Sequence, residues 1–209
     1  IIAGGLGFTT WADIHLNRGN FHAYTLQSKI ALTMTAALIL IPGLFFFFFE
    51  LDPSTSLSEH FLISFFQSVT TRTAGYNTID IKDFSETGRA ALIALMLIGG
   101  SPGSTAGGIK TTTAFTLFAI MIATFRLKKD PTCFSRRLSS ETQRHAVTIL
   151  MMYLLLFASG SVLLNLIDGI RLIDSAFETA SALGTVGLSI GVTDDLGPLS
   201  KYVMMLLMF

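Results

Sequence analysis

Two short segments of the sequence have residue types suited to binding a cation through the main chain. They read Thr73-Ala74-Gly75-Tyr76-Asn77 and Thr185-Val186-Gly187-Leu188-Ser189. The central glycine permits backbone angles that turn consecutive carbonyl groups toward one axis. Carbonyl oxygens arranged around an axis can replace the hydration shell of an ion. The two segments therefore predict an ion-selectivity filter built from main-chain carbonyls.

A third segment is rich in glycine and invites an enzymatic interpretation. It reads Gly99-Gly100-Ser101-Pro102-Gly103-Ser104-Thr105-Ala106-Gly107-Gly108. Gly103 and Gly108 have the spacing of a phosphate-binding loop, but Ile109 separates Gly108 from Lys110, whereas that motif requires the lysine directly after the glycine. The segment also follows an apolar half-span rather than a buried strand. We therefore predict no enzyme.

The same glycine-rich segment predicts a helix interrupted near the middle of a membrane. Five glycines and one proline in ten residues oppose continuous helix, at about 1 kcal/mol per glycine and about 3 kcal/mol for proline. Broken helices in transporters mark ion pathways, so we expect a gating loop beneath the first filter segment. A helix kinked only for close packing through small residues is the alternative.

Three charged residues near these segments need partners in a low-dielectric environment. Arg72 lies just before the first filter segment, and we predict that it pairs with Glu178 or, alternatively, donates to carbonyls of the pore loop. Lys110 either occupies the pathway as a tethered cation or extends toward the cytoplasm, of which the second is favoured.

The composition indicates a membrane protein. Of 209 residues, 51% are hydrophobic and only 13% charged, with a net charge of zero. A net charge of zero is not typical of proteins that bind nucleic acid, which need positive charge to neutralise phosphates. The single cysteine excludes a disulfide framework. Because neither end resembles a natural terminus, we expect a part of a longer protein with several spans.

Apolar stretches and charge predict the elements that carry these segments. Residues 28–49 and 147–167 are each long enough to cross a bilayer, which needs about 20 residues, and 90–125 is a longer stretch broken by the glycines. The linker 126–144 holds six basic residues against two acidic ones. The positive-inside rule places this linker in the cytoplasm.

Each filter segment follows a short apolar helix, which begins near Leu57 in one case and near Leu172 in the other. Ser56 and Glu59 have the spacing of a capping box. Helices of about 12 residues are too short to span, so both are predicted to be re-entrant. Gly75 and Gly187 lie 112 residues apart, which indicates an internal repeat of long helix, short helix, filter and long helix.

These motifs closely resemble a known family. Residues 65–78, Phe-Phe-Gln-Ser-Val-Thr-Thr-Arg-Thr-Ala-Gly-Tyr-Asn-Thr, and residues 101–113, Ser-Pro-Gly-Ser-Thr-Ala-Gly-Gly-Ile-Lys-Thr-Thr-Thr, resemble the third repeat of the KtrB family. KtrB proteins are the membrane subunits of bacterial Ktr potassium uptake systems, in the Trk/Ktr/HKT superfamily. Residues 178–189 resemble the fourth filter of that family, and the opening Gly-Gly-Leu-Gly-Phe its second inner helix.

The resemblance implies an all-α polytopic membrane protein with repeated helix–pore loop–helix units around an ion pathway. It assigns residues 1–20 to the end of the inner helix of the second repeat. It assigns 21–130 to the third repeat, with outer helix 28–49, pore helix and filter 57–78 and broken inner helix 89–125. It assigns 131–209 to a truncated fourth repeat, with outer helix 147–167, pore helix and filter 172–189 and an inner helix from 199.

The resemblance also implies function and partners. It implies potassium uptake across a bacterial plasma membrane, with K⁺ as the transported ion and Na⁺ as a candidate activating or co-transported ion. It implies a homodimer and a cytosolic nucleotide-binding regulatory ring similar to KtrA. A tetrameric potassium channel is the alternative, but two different filters in one chain argue against it.

Overall fold

The structure is a computed structural model that describes residues 1–50, 56–128, 130–134 and 136–209. Positions 51–55, 129 and 135 lie outside the described residues. The predicted third repeat over 21–130 and the linker 126–144 are therefore described only in part.

Helices form most of the chain. Their bounds are α1 Ile2–Gly5, α2 Phe8–Asn17, α3 Leu26–Phe49, α4 Leu57–Thr70, α5 Glu86–Leu97, α6 Thr111–Phe125, α7 Ser140–Asp168, α8 Leu172–Leu183 and α9 Pro198–Leu207. Short 3₁₀ turns cover Phe21–Ala23 and Ile81–Asp83.

Within the described residues, two helices are long and apolar enough to cross a bilayer. They are α3, with 24 residues, and α7, with 29. The shorter apolar helix α6 follows α5 only after an interruption between Leu97 and Thr111.

Four of the described helices, α3, α4, α5 and α7, begin after a residue whose side chain bonds a free N–H group of the first turn. Ser56 caps α4 by accepting from the N–H of Glu59, at the predicted position. Ser85 caps α5 and Ser139 caps α7 in the same way. At its other end α7 stops at Gly169, whose φ of 66° is left-handed.

The core joins the helix before the glycine-rich loop to the second filter segment. Leu92 and Met96 of α5 and Phe177 of α8 are fully buried and pack in one cluster with Val186 and Leu188. Burying such side chains contributes about 1.5–3 kcal/mol each. Helix α3 packs on α4, and α7 packs on α8, so each short helix is held by a long one.

The chain is mostly helical, as predicted, and it has one small additional element that is not helical. Strands β1 (Thr132–Cys133) and β2 (Arg136–Arg137) form an antiparallel pair in the linker. Arg137 contacts Asp130 at 3.2 Å, and burial raises the pKa of the Cys133 thiol. Strands of two residues are too short to show an alternation of apolar and polar residues, so the sequence has no pattern that predicts this strand pair.

Helix α2 is fastened to the start of α3 through one carboxylate. Asp13 accepts hydrogen bonds from the hydroxyl of Ser28 at 2.5 Å and from the hydroxyl and N–H of Thr25 at 2.7 and 3.0 Å. These donors, Ser28 foremost, lower the pKa of Asp13, because they favour its charged form. Helix α2 itself begins at a contact with the glycine-rich loop, where the N–H of Phe8 donates to the carbonyl of Gly103.

Candidate cation pathway

The two filter segments lie side by side at their glycines. Gly75 has a φ of 72° and Gly187 a φ of 89°, angles that side chains other than glycine rarely adopt. A Cβ placed on Gly75 would overlap the carbonyl oxygen of Val186, and one on Gly187 would lie 3.8 Å from the Cα of Gly75. Positions 112 residues apart in sequence are therefore neighbours in space.

The threonines two residues before these glycines share the unusual backbone. Thr73 has a φ of 60° and Thr185 a φ of 50°, although a β-branched residue at positive φ is a true outlier. Strain of this kind costs about 1–3 kcal/mol and concentrates at functional sites. In an extended chain successive carbonyls point to opposite sides, and positive φ at alternate residues reverses every second one. Both segments thus have a backbone suited to turning consecutive carbonyls the same way.

Burial alternates along the second segment. Val186 and Leu188 are buried in the core cluster, whereas Thr185 and Gly187 between them are exposed. One edge of the segment is anchored by hydrophobic packing, and residues of the other edge are exposed.

The first segment is fastened to its own helix by a threonine. The hydroxyl of Thr70 donates to the carbonyl of Tyr76 at 2.6 Å and accepts from the N–H of Tyr76 at 2.9 Å. The Tyr76 carbonyl is therefore turned toward α4, unlike the arrangement expected of a filter carbonyl. Thr70 was missed by sequence reasoning, because one threonine among many in residues 70–78 gives no distinguishing signal.

A carboxylate and a serine fasten the second segment. Glu178 is buried and accepts from the hydroxyl of Ser189 at 2.7 Å, the N–H of Ile190 at 3.0 Å and the hydroxyl of Thr193 at 2.8 Å. The hydroxyl of Ser181 accepts from the N–H of Gly187 at 3.2 Å. Charge-assisted bonds such as those to Glu178 are the strong ones, so this carboxylate holds the exit of the segment in place.

The predicted ion pair between Arg72 and Glu178 is wrong, because other donors occupy Glu178. Arg72 is buried, and its Nη2 donates to the carbonyl of Gly99 at 3.5 Å, the long limit for a hydrogen bond. Among the described residues its Nε has no partner. The alternative, a carbonyl acceptor, is the one observed, although the carbonyl belongs to the glycine-rich loop.

The glycine-rich loop, residues 99–108, lies directly against the second filter segment. A Cβ on Gly107 would overlap the hydroxyl of Thr185 and lie 2.9 Å from the carbonyl of Gly184. Main-chain bonds close the two ends of the loop: Gly99 N–H to Ile109 at 3.0 Å, Ile109 N–H to Leu97 at 3.0 Å and Thr111 N–H to Gly100 at 3.0 Å.

Hydroxyls satisfy some of the polar groups that the interruption leaves without helical partners. The hydroxyl of Ser101 accepts from that of Thr111 at 3.0 Å, and the hydroxyl of Ser104 accepts from the N–H of Ala106 at 3.4 Å. Lys110 turns its ammonium back onto the carbonyl of Ala106. The expectation that Lys110 extends toward the cytoplasm is therefore wrong: its charge is used within the loop.

The loop is also bonded to the first two helices. Ser101 N–H donates to the carbonyl of Gly5 at 2.9 Å, and Phe8 N–H donates to the carbonyl of Gly103 at 3.2 Å. Between them Gly7 has a φ of 82° and touches the carbonyl of Pro102. The break between α1 and α2 therefore receives the loop, and a side chain at position 7 would collide with it.

Comparison with known proteins gives a consistent result. The family model described as "TrkH: Cation transport protein" matches residues 23–209. The chain is 40% identical to the potassium/sodium uptake protein NtpJ of Enterococcus hirae, over 100% of this chain and 48% of that protein. It is 35% identical to the Ktr system potassium uptake protein B of Vibrio alginolyticus, over 99% of this chain and 47% of that protein.

A solved structure shares the fold. The potassium transporter TrkH from Vibrio parahaemolyticus matches with a TM-score of 0.74 at 20% identity, covering 99% of this chain and 47% of that one. The chain thus spans about half the length of the relatives it matches. The matching proteins are cation transporters rather than enzymes, and the extent of the family match shows that this chain belongs to the TrkH/Ktr family of cation transport proteins.

Proposed function

We propose that the protein containing this chain takes up potassium across a bacterial plasma membrane, with K⁺ passing along main-chain carbonyls of the segments 73–77 and 185–189 other than that of Tyr76, which is bonded to Thr70. The observation that carries this proposal is the contact between Gly75 and Gly187, both at positive φ and both preceded by a threonine at positive φ. The relatives named as potassium uptake proteins support K⁺ as the ion.

The proposed architecture is a ring of four similar units, each of outer helix, pore helix, filter and inner helix. Residues 21–130 and 131–209 would be the third and fourth, and 1–20 the end of the second. The chain matches about half the length of its relatives, as expected if it contains about two of four units. The tetrameric channel is not supported by the family match.

The proposed gate is the glycine-rich loop. It touches Thr185 from one side and α1 and α2 from the other, so its position controls the space next to the filter. A segment held by few main-chain bonds and no regular helix can have two arrangements of similar free energy. A ligand or partner shifts their balance only by contacting them differently.

The proposed partners are a second copy of the protein and a cytosolic nucleotide-binding ring. The name "Ktr system" of several relatives indicates components besides the membrane subunit. The basic linker after α6 would face such a ring. The same proposal includes Na⁺ as an activating or co-transported ion, because one relative is named a potassium/sodium uptake protein.

Uptake by the full-length protein in a bacterial strain that lacks potassium import tests the proposal. Growth at low external K⁺, together with K⁺ and Na⁺ influx measured in the same cells, is the expected result. Full-length protein present in the membrane without K⁺ influx would remove the proposed function.

Replacing Glu178 is expected to weaken ion discrimination in that assay. In Glu178→Ala the N–H of Ile190 and two hydroxyls lose their acceptor, and each unsatisfied group costs about 1–3 kcal/mol. Glu178→Gln keeps one carbonyl oxygen and should retain most of the K⁺ preference. The ratio of K⁺ to Na⁺ uptake of the two variants measures this, and equal ratios in Ala and wild type would contradict the role given to Glu178.

A further inference from the structure

Helices α5 and α8 are joined by a charged contact that the proposed function does not use. The carboxylate of Asp174 meets Nη1 of Arg89 at 3.4 Å through one oxygen and Nε of Arg171 at 2.8 Å through the other. Arg171 directly precedes α8, and Asp174 lies in the first turn of that helix. Arg89 belongs to α5, so only its contact crosses between helices.

This pair is buried although the chain spans about half of its relatives. Arg89 is 9% exposed and Asp174 6% exposed, and further parts of the protein can only reduce these fractions. A buried ion pair is a poor device for stability, because apolar residues of similar size are often as good or better. Its other known use is to specify one arrangement of the elements that it joins.

The helix dipoles favour the charge at one end of this ion pair and disfavour the charge at the other. Asp174, in the first turn of α8, suits the positive end of its own helix. Arg89 lies near the start of α5, where the dipole of its own helix disfavours a cation. Glu86 in the same turn of α5 offers a carboxylate three positions away, but the ion pair that Arg89 forms is with Asp174 across the interface.

The contact holds the outer end of the helix that leads to the second filter segment. The other end of α8 lies directly against α5 as well. There Gly184 approaches the carbonyl of Met96 so closely that a Cβ on Gly184 would overlap it. Leu92 and Phe177 fill the space between these two levels. Helix α8 is thus fixed to α5 at both ends, and its tilt sets where Val186 meets Gly75.

We propose that Arg89 is a positioning residue for the selectivity filter: through Asp174 it holds α8 against α5, and so aligns the 185–189 segment with the 73–77 segment. This inference rests on the proposed function, because it assigns Arg89 to the discrimination of K⁺ from Na⁺. Arg89 acts at a distance from the ion and contacts no filter residue in any bond described above.

Arg89→Gln and Asp174→Asn in the full-length protein test the proposal through the ratio of K⁺ to Na⁺ uptake. We expect each to lower the ratio about fivefold, in the range of coupling between contacting residues. The double variant should be no worse than the poorer single one, because both remove one contact. A purely structural role would lower the protein amount and both fluxes together, and leave the ratio unchanged.

Arg171→Gln is the matched control. It removes the same charge from the same carboxylate, but its side chain is 68% exposed and bridges no helices. It should leave the ratio as in wild type. An equal loss in Arg171→Gln and Arg89→Gln would overturn the proposal in favour of a general charge effect.

The double variant Arg89→Gln/Asp174→Asn keeps the test decisive if the single variants do not insert, because it leaves no lone buried charge. A wild-type ratio in that double variant, or in an inserted Arg89→Gln, would overturn the positioning role. If Gly75→Ser alters the ratio while Arg89→Gln does not, only this inference fails. Absence of K⁺ uptake by the unmodified protein would remove both.

Discussion

Deletion of Thr105 to Gly107 from the full-length protein is expected to raise the maximal rate of K⁺ uptake about tenfold. Gly107 lies against Thr185 and the carbonyl of Gly184, so the deletion removes the part of the loop next to the filter. A tenfold rise corresponds to a barrier lowered by about 1.4 kcal/mol. Uptake should also depend less on a cytosolic partner, since the element to be moved is shorter.

The deletion removes the carbonyl of Ala106, which Lys110 contacts, but it leaves the main-chain anchors of the loop in place. The bonds that join Gly99 to Ile109, Ile109 to Leu97 and Thr111 to Gly100 involve none of the deleted residues. The bonds to Gly5 and Phe8 also remain, because they come from Ser101 and Gly103. The variant should therefore insert in normal amounts, which quantification of the membrane protein checks.

Gly103→Ala is the control for the deletion. A Cβ at that position meets no atom within 4 Å, so the substitution adds only backbone strain and leaves the contact with Thr185. It should not raise the rate. Unchanged flux in the deletion variant, or loss of the protein from the membrane, would indicate a static kink needed for packing and would end the gating proposal.

Replacement of the filter glycines is expected to impair K⁺ selectivity, and Gly75→Ser more than Gly187→Ser. Both serines must adopt positive φ, at a cost of about 1–2 kcal/mol. Only at Gly75 does the new Cβ also overlap a carbonyl oxygen, that of Val186, whereas Gly187 has room. Gly75→Ser should abolish the preference for K⁺ over Na⁺, and Gly187→Ser should reduce it.

Gly169→Ser separates backbone strain from filter geometry. Gly169 has a φ of 66° and open space at its Cβ, but it ends α7 away from the filter segments. The substitution should leave the ratio of K⁺ to Na⁺ uptake unchanged. If both filter variants keep the wild-type ratio in cells where their amounts are normal, residues 73–77 and 185–189 are not the filter.

The sequence alone was sufficient where local chemistry decides. The apolar runs of α3 and α7 predict membrane spans, because a bilayer requires length and hydrophobicity together. Ser56 predicts the start of α4, because its side chain can cap the first turn. The family could be recognised because residues 65–78 and 101–113 combine unusual residue types in a fixed order. The TrkH family match agrees with that recognition.

The tertiary structure decided which residues meet, because such contacts depend on elements far apart in the chain. Arg72 and Glu178 were paired in the sequence prediction on charge alone, but packing brings Arg72 to the carbonyl of Gly99 and gives Glu178 three donors near the filter exit. Arg89 directly precedes the apolar stretch 90–125, and nothing local in the sequence points to its partner Asp174, which lies 85 positions away. The contact between Gly75 and Val186 likewise follows from how α5 holds α8. No residue pattern encodes that packing, because it arises only when side chains of several helices fill one core.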